Sequence, residues 1–146
     1  MRKSESAAQR ATTNGATGHA RLDGLRVLAV DDQPDTLAVV DRVLTRAGAK
    51  VRTARSVSAA LSALRDWEPD CIISDIGMPG EDGFTFIRAV RALAPPVGTV
   101  PAVALTAFAR DLDRDLAAEA GFSDYLPKPV DTAALLQKIA TLTRRR

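Results

Sequence analysis

Five short apolar runs, each followed by a segment with helical spacing, restrict this chain more than any other feature. The runs are 25–30 (LRVLAV), 50–53 (KVRT), 71–74 (CIIS), 100–105 (VPAVAL) and 122–126 (FSDYL). The helical segments fall at 34–47, 57–66, 83–93, 110–120 and 131–143. In the first, Pro34 stands where a helix best tolerates it, at the start. Leu37, Val40 and Leu44 recur at helical spacing, and Gly48 follows the end. In the last, Asp131 is placed to cap the helix and Leu135, Ile139 and Leu142 form its apolar stripe. The terminal arginines suit the negative end of its dipole. Five strand-then-helix units require parallel strands joined by right-handed crossovers. Short apolar strands of this kind are buried on both faces. The pattern predicts an α/β fold, a doubly wound five-stranded parallel sheet. Ligands of such sheets bind outside the carboxyl ends of the strands, where the strand order reverses.

The 146 residues fit one domain with a real core. No apolar run approaches the roughly 18 residues of a membrane helix. Residues 1–20 hold no Leu, Ile, Val or Phe, so a signal-peptide core is missing too, and the expected location is the cytoplasm. The single cysteine, Cys71, excludes an internal disulfide and a CxxC metal site, and reads as a small core residue. The net charge of +2 is unevenly spread. Arg2, Lys3, Arg10 and Arg21 outweigh Glu5 in residues 1–22, and three arginines close the chain, so the middle is acidic. Residues 1–22, rich in Ser, Thr, Ala, Gly and Arg, read as a flexible leader or linker. Residues 23–143 are the folded domain and 144–146 a basic tail.

The carboxyl ends of the strands carry the chemistry. Asp31 and Asp32 follow the first strand, Asp75 the third, Thr106 the fourth and Lys128 the fifth. One sheet edge therefore gathers three carboxylates, a hydroxyl and an ammonium. Two like charges ~4 Å apart at an effective dielectric of ~20 repel by about 4 kcal/mol. Such a cluster is relieved by a proton, a cation or both. Oxygen donors without His or Cys favour a hard cation. Mg²⁺ fits, because it uses one or two protein carboxylates together with waters and phosphate. Metal, lysine and hydroxyl together make a receptacle for a phosphoryl group.

These residues resemble the receiver domains of two-component response regulators. The matching segments are VDD at 30–32, SDIGMPGEDG at 74–83, LTA at 105–107 and YLPKP at 125–129. Each is weak alone, but four in this order, each at a strand end, are specific. The resemblance covers roughly residues 24–142. It implies a flavodoxin-like (βα)5 fold with strand order 2-1-3-4-5. It implies Asp75 as phosphoacceptor from a histidine kinase or histidine phosphotransferase. It implies a Mg²⁺ held by Asp31, Asp32, Asp75 and the backbone carbonyl of Gly77. Lys128 would pair with a phosphoryl oxygen, Thr106 would turn to the phosphate, and Tyr125 would move into the space vacated. The Lys128–Pro129 bond would be cis. Gly77 and Phe108 stand two residues after Asp75 and Thr106, where side chains in this family guide water to the phosphoryl group. Neither can do so here, which implies slow intrinsic dephosphorylation.

The expected product is a phosphoacceptor rather than an enzyme acting on an outside substrate. No Gly-rich GxxxxGKS/T loop is present, and the only histidine, His19, lies in the leader. With only arginines after residue 143, no DNA-binding domain is expected. The leading expectation is a signalling switch read through the face of helix 4, strand 5 and helix 5, a face that could also join two copies. The alternative is the receiver of a hybrid histidine kinase that relays phosphate to a histidine phosphotransferase. A haloacid-dehalogenase-like phosphatase would carry a second acid at position 77, where this chain has Gly77.

Overall fold

The computed structural model describes residues 20–77, 83–107 and 114–144. Five parallel strands form one sheet in the order β2-β1-β3-β4-β5. They are β1 (Arg26–Val30), β2 (Lys50–Ala54), β3 (Cys71–Asp75), β4 (Ala102–Thr106) and β5 (Asp124–Pro127). The helices between them are α1 (Pro34–Arg46), α2 (Val57–Ala63), α3 (Gly83–Arg91), α4 (Arg114–Ala120) and α5 (Thr132–Thr143). This is the expected flavodoxin-like arrangement.

Strand burial explains the order. All five residues of both β3 and β4 are buried, whereas β2 and β5, at the two edges, are largely accessible. Alternate residues of the central strands feed two cores. Leu28, Val30, Ile72, Ala102 and Ala104 pack beneath α2, α3 and α4. Val27, Ala29, Ile73, Val103 and Leu105 pack beneath α1 and α5. Cys71 is buried in this second core, as a small apolar residue would be.

Element ends follow local chemistry. The Asp131 side chain caps α5 by accepting from the Ala134 N–H at 3.1 Å, and Ser56 caps α2 in the same way. Several boundaries differ from the sequence expectation, and four of them show a local cause. α2 stops at Ala63, because the Arg65 and Asp66 N–H groups reach back only three residues, tightening the turn. α3 stops at Arg91 for the same reason, with Pro95 ahead. β4 starts at Ala102, after a 3-10 turn over Val97–Thr99. Phe122, expected in β5, instead ends α4: its N–H bonds the Ala117 carbonyl while Gly121 N–H bonds Ala118. Gly121, at φ +126°, supplies the left-handed residue this cap needs. The first residues expected in helix 4, at 110–113, and half of the SDIGMPGEDG motif, at 78–82, lie outside the described residues, as do Phe108 and His19.

The leader expectation meets one contrary finding. Leu22 is 1% exposed and belongs to the α1–α5 core. Its N–H bonds the Ala47 carbonyl at 2.8 Å, and the Arg21 guanidinium donates to the Arg46 carbonyl at 3.0 Å. Ordered packing thus starts before residue 23. Among the described residues no helix is long and apolar enough to cross a membrane.

Candidate functional site

The strand order reverses between β1 and β3, and the register there sets the site. Val30 pairs with Ser74, so Asp31 leaves β1 level with Asp75 at the end of β3. Across the next pair Asp75 stands opposite Leu105, which puts Thr106 one residue further out. Thr106 pairs with Pro127, and its carbonyl accepts from the Lys128 N–H at 2.8 Å. Asp75 and Thr106 are thus the last residues of their strands rather than the first after them.

Asp31 and Asp75 are buried, at 1% and 5% exposure, and Asp32 is half-buried. Carboxylate oxygens of all three lie within 4.8 Å of one another. The Lys128 ammonium stands between two of them, 2.8 Å from Asp31 Oδ2 and 3.4 Å from Asp75 Oδ2. Backbone donors fix the remaining oxygens. Gln33 N–H donates to Asp31 Oδ1 at 2.9 Å and Gly77 N–H to Asp75 Oδ1 at 3.1 Å. Close approach by α3 completes the floor. A Cβ on Gly83 would stand 2.5 Å from the Asp75 carbonyl oxygen and 2.8 Å from Ile76 Cα, so only glycine fits.

Charge at the site is not balanced. One ammonium faces three carboxylates. Asp31 Oδ2 has the Lys128 ammonium as its partner at 2.8 Å. The Asp31 carboxyl holds its proton more tightly than an ordinary aspartate. Burial is the main cause and the Asp75 charge adds to it, against the contacts from Lys128 and Gln33. Three carboxylates against one ammonium leave excess negative charge among oxygen-only donors, and that suits a hard divalent cation such as Mg²⁺.

Thr106 is buried beside this group. Tyr125 is half-buried on β5 and packs against the α2–α4 core. The Lys128–Pro129 bond is cis. Gly77 is exposed at the site's edge. Sequence reasoning passed over Gln33, whose side-chain Oε1 lies 3.2 Å from Lys128 Nζ. Its position directly after the paired aspartates was the available signal. A cleft of about 560 Å³ opens beside it, lined by Gln33, Thr36, Val39, Ala107, Lys128 and Pro129 among others.

Comparison with known proteins agrees with this geometry. A protein of Leptolyngbya boryana, named as an uncharacterized 14.6 kDa protein in the sodA1 3' region, is 45% identical over 118 residues, covering 81% of this chain and 89% of that one. The transcriptional regulatory protein PrrA of Mycobacterium tuberculosis is 40% identical over 121 residues, covering 83% of this chain but only 51% of its own length. Among solved structures, the receiver domain of the sensor histidine kinase PA1611 from Pseudomonas aeruginosa superposes with a TM-score of 0.75 at 31% identity. It covers 83% of this chain and 98% of that one, and holds a magnesium ion in its active-site cleft. The family model for the response regulator receiver domain matches residues 27–140, and with the strand order and the acidic edge just described it places this chain in that family.

Proposed function

We propose that this chain is a phosphoacceptor switch of a two-component pathway, with Asp75 as the acceptor. The observation that carries the reading is the Lys128 ammonium set between Asp31 and Asp75 within a three-carboxylate group. An Asp75 carboxylate oxygen attacks the phosphorus of a phosphohistidine on a kinase or phosphotransferase. The new O–P bond forms as the N–P bond breaks, and the imidazole leaves with that electron pair and takes up a proton. Lys128 turns from the Asp75 oxygen to a phosphoryl oxygen. Asp31, Asp32, Asp75 and the Gly77 backbone carbonyl would hold Mg²⁺. Bound there, the ion offsets charge on the transferring group. The Thr106 hydroxyl then turns to the phosphate and Tyr125 fills the space released. That movement alters the face of α4, β5 and α5, through which a partner or a second copy is bound. With Gly77 and Phe108 at the two positions that guide water, the aspartyl phosphate is long-lived. A half-life of seconds in purified protein would contradict that point.

The test is intact-mass spectrometry after incubation with Mg²⁺ and acetyl phosphate, beside Asp75→Asn. One phosphoryl adduct on wild type and none on the variant is the expected result. Failure of wild type to bind beryllofluoride as well would sink the reading. Likeness to the receiver of a sensor histidine kinase favours a second role, relay to a histidine phosphotransferase. Fast, reversible exchange of phosphate with such a partner would distinguish relay from a switch.

A further inference from the structure

We propose that Gln33 is a positioning residue for Lys128, its side-chain amide supplying the third acceptor that aims the ammonium for phosphoryl transfer. This rests on the reading of Asp75 as phosphoacceptor. A lysine ammonium has three N–H donors and no acceptor. Around Lys128 Nζ stand three oxygens: Asp31 Oδ2 at 2.8 Å, Gln33 Oε1 at 3.2 Å and Asp75 Oδ2 at 3.4 Å. When a phosphoryl group joins Asp75, that carboxylate becomes an acyl phosphate and the ammonium must follow the charge outward. Asp31 and Gln33 are then the two points on which it pivots. Without the amide it would hang from one residue.

The local sequence supports a dedicated use of this side chain. Gln33 occupies the N-cap of α1, a position that favours Ser, Thr, Asp or Asn. It makes no side-chain capping bond there. Pro34 restricts the preceding residue to extended backbone, and Gln33 sits at φ −94°, ψ 112°. The Thr36 hydroxyl, one turn on, donates to the same Oε1 at 3.4 Å. The Gln33 backbone N–H meanwhile donates to Asp31 Oδ1 at 2.9 Å. One residue therefore orients both members of the Lys128–Asp31 pair, the carboxylate through its main chain and the ammonium through its side chain. A neutral amide does this without adding to the negative charge that an incoming phosphoryl group already meets.

Gln33 is exposed, so its side chain can be changed without opening the core. Two full-length variants separate the contributions. Gln33→Met keeps the length and removes the acceptor; Gln33→Glu keeps the acceptor and adds charge. The Lys128 ammonium protons, followed by ¹H–¹⁵N NMR, should exchange slowly in wild type and in Gln33→Glu, and fast in Gln33→Met. Phosphorylation by acetyl phosphate with Mg²⁺ should slow about ten-fold in Gln33→Met, the loss of one hydrogen bond to a charged group, at any ionic strength. Any slowing in Gln33→Glu should instead diminish as salt is raised. If Gln33→Met matches wild type within about two-fold, or slows without faster ammonium exchange, Gln33 does not position Lys128, while Asp75 phosphorylation stands. If wild type gains no phosphoryl adduct and binds no beryllofluoride either, or if Asp75→Asn gains the same adduct, the phosphoacceptor reading fails and takes this proposal with it.

Discussion

Lys128 Nζ lies 2.8 Å from Asp31 Oδ2, yet this pairing does not bring the Asp31 carboxyl down to the range of an ordinary aspartate. Burial outweighs the ammonium and the Gln33 N–H, and the Asp75 charge adds to burial. The pair is thus held against its own desolvation, in the manner of many buried ion pairs.

A pH dependence follows from that relationship. In the folded chain Asp31 binds its proton above the ordinary value of 3.8. The native state therefore holds the proton more tightly than the unfolded state. The stability this contributes is complete below 3.8 and is lost as pH rises through the raised folded value. At neutral pH the ionised Asp31 is a liability to the fold. Asp31→Asn should be more stable than wild type at pH 7 without divalent cations, because it removes one of three crowded charges while Lys128 keeps Asp75 as its partner. The gain should shrink as pH falls toward 4. Urea unfolding across that range tests it, and a gain independent of pH would rule out the titration of Asp31 as its source.

Cation binding should remove the same liability. With Mg²⁺ at about 100 times its Kd, wild type should gain about 2.7 kcal/mol. Asp32 is half-buried and faces the two buried aspartates, so Asp32→Asn should lose most of that gain while folding normally. Thermal melts with and without Mg²⁺, reversed by EDTA, measure it. An equal Mg²⁺ increment in wild type and Asp32→Asn would remove Asp32 from the ligand set.

How far the sequence carries can be judged from particular residues. Strand existence was legible because Val27, Ile72, Ile73 and Val103 stand in short apolar runs of the kind a doubly covered sheet buries, whereas the strand order came only with the family resemblance. The convergence of Asp31, Asp75, Thr106 and Lys128 was legible because each sits at a strand end, and parallel strands all end on one edge. The ends of α2 and α3 were not, since three-residue tightening in a last turn leaves no mark on apolar spacing. Leu22 was hidden by its polar neighbours: a single leucine has no period, and its burial depends on the α1 end folding back to meet it. Gln33 was hidden by distance, because its partner Lys128 lies 95 residues away along the chain.

The far end of α3 carries a clamp whose loss should be felt in stability alone. Arg91 donates through Nε and Nη2 to the Gly121 carbonyl at 3.0 and 2.7 Å, and through Nη1 to the Gly98 carbonyl at 3.2 Å. It thereby ties α3 to the end of α4 and to the 3-10 turn before β4. Among the described residues no carboxylate pairs with it, and burial lowers the proton affinity of its guanidinium. Its three bonds use the fixed fork of the guanidinium, which a lysine cannot reproduce. Arg91→Met keeps much of the apolar stem and leaves two carbonyls without these donors, a loss of about 2–3 kcal/mol. Arg91→Lys should recover part of it. Urea midpoints should fall with unchanged m-values. Gly83, where α3 begins, touches the Asp75 backbone, whereas Arg91 lies at the opposite end of the helix. Phosphorylation by acetyl phosphate in Arg91→Met should therefore stay within about two-fold of wild type at temperatures where the variant is folded. A loss in the midpoint worth less than about 0.5 kcal/mol would show that water replaces the guanidinium at both carbonyls, and that the α3–α4 contact is held by its apolar packing instead.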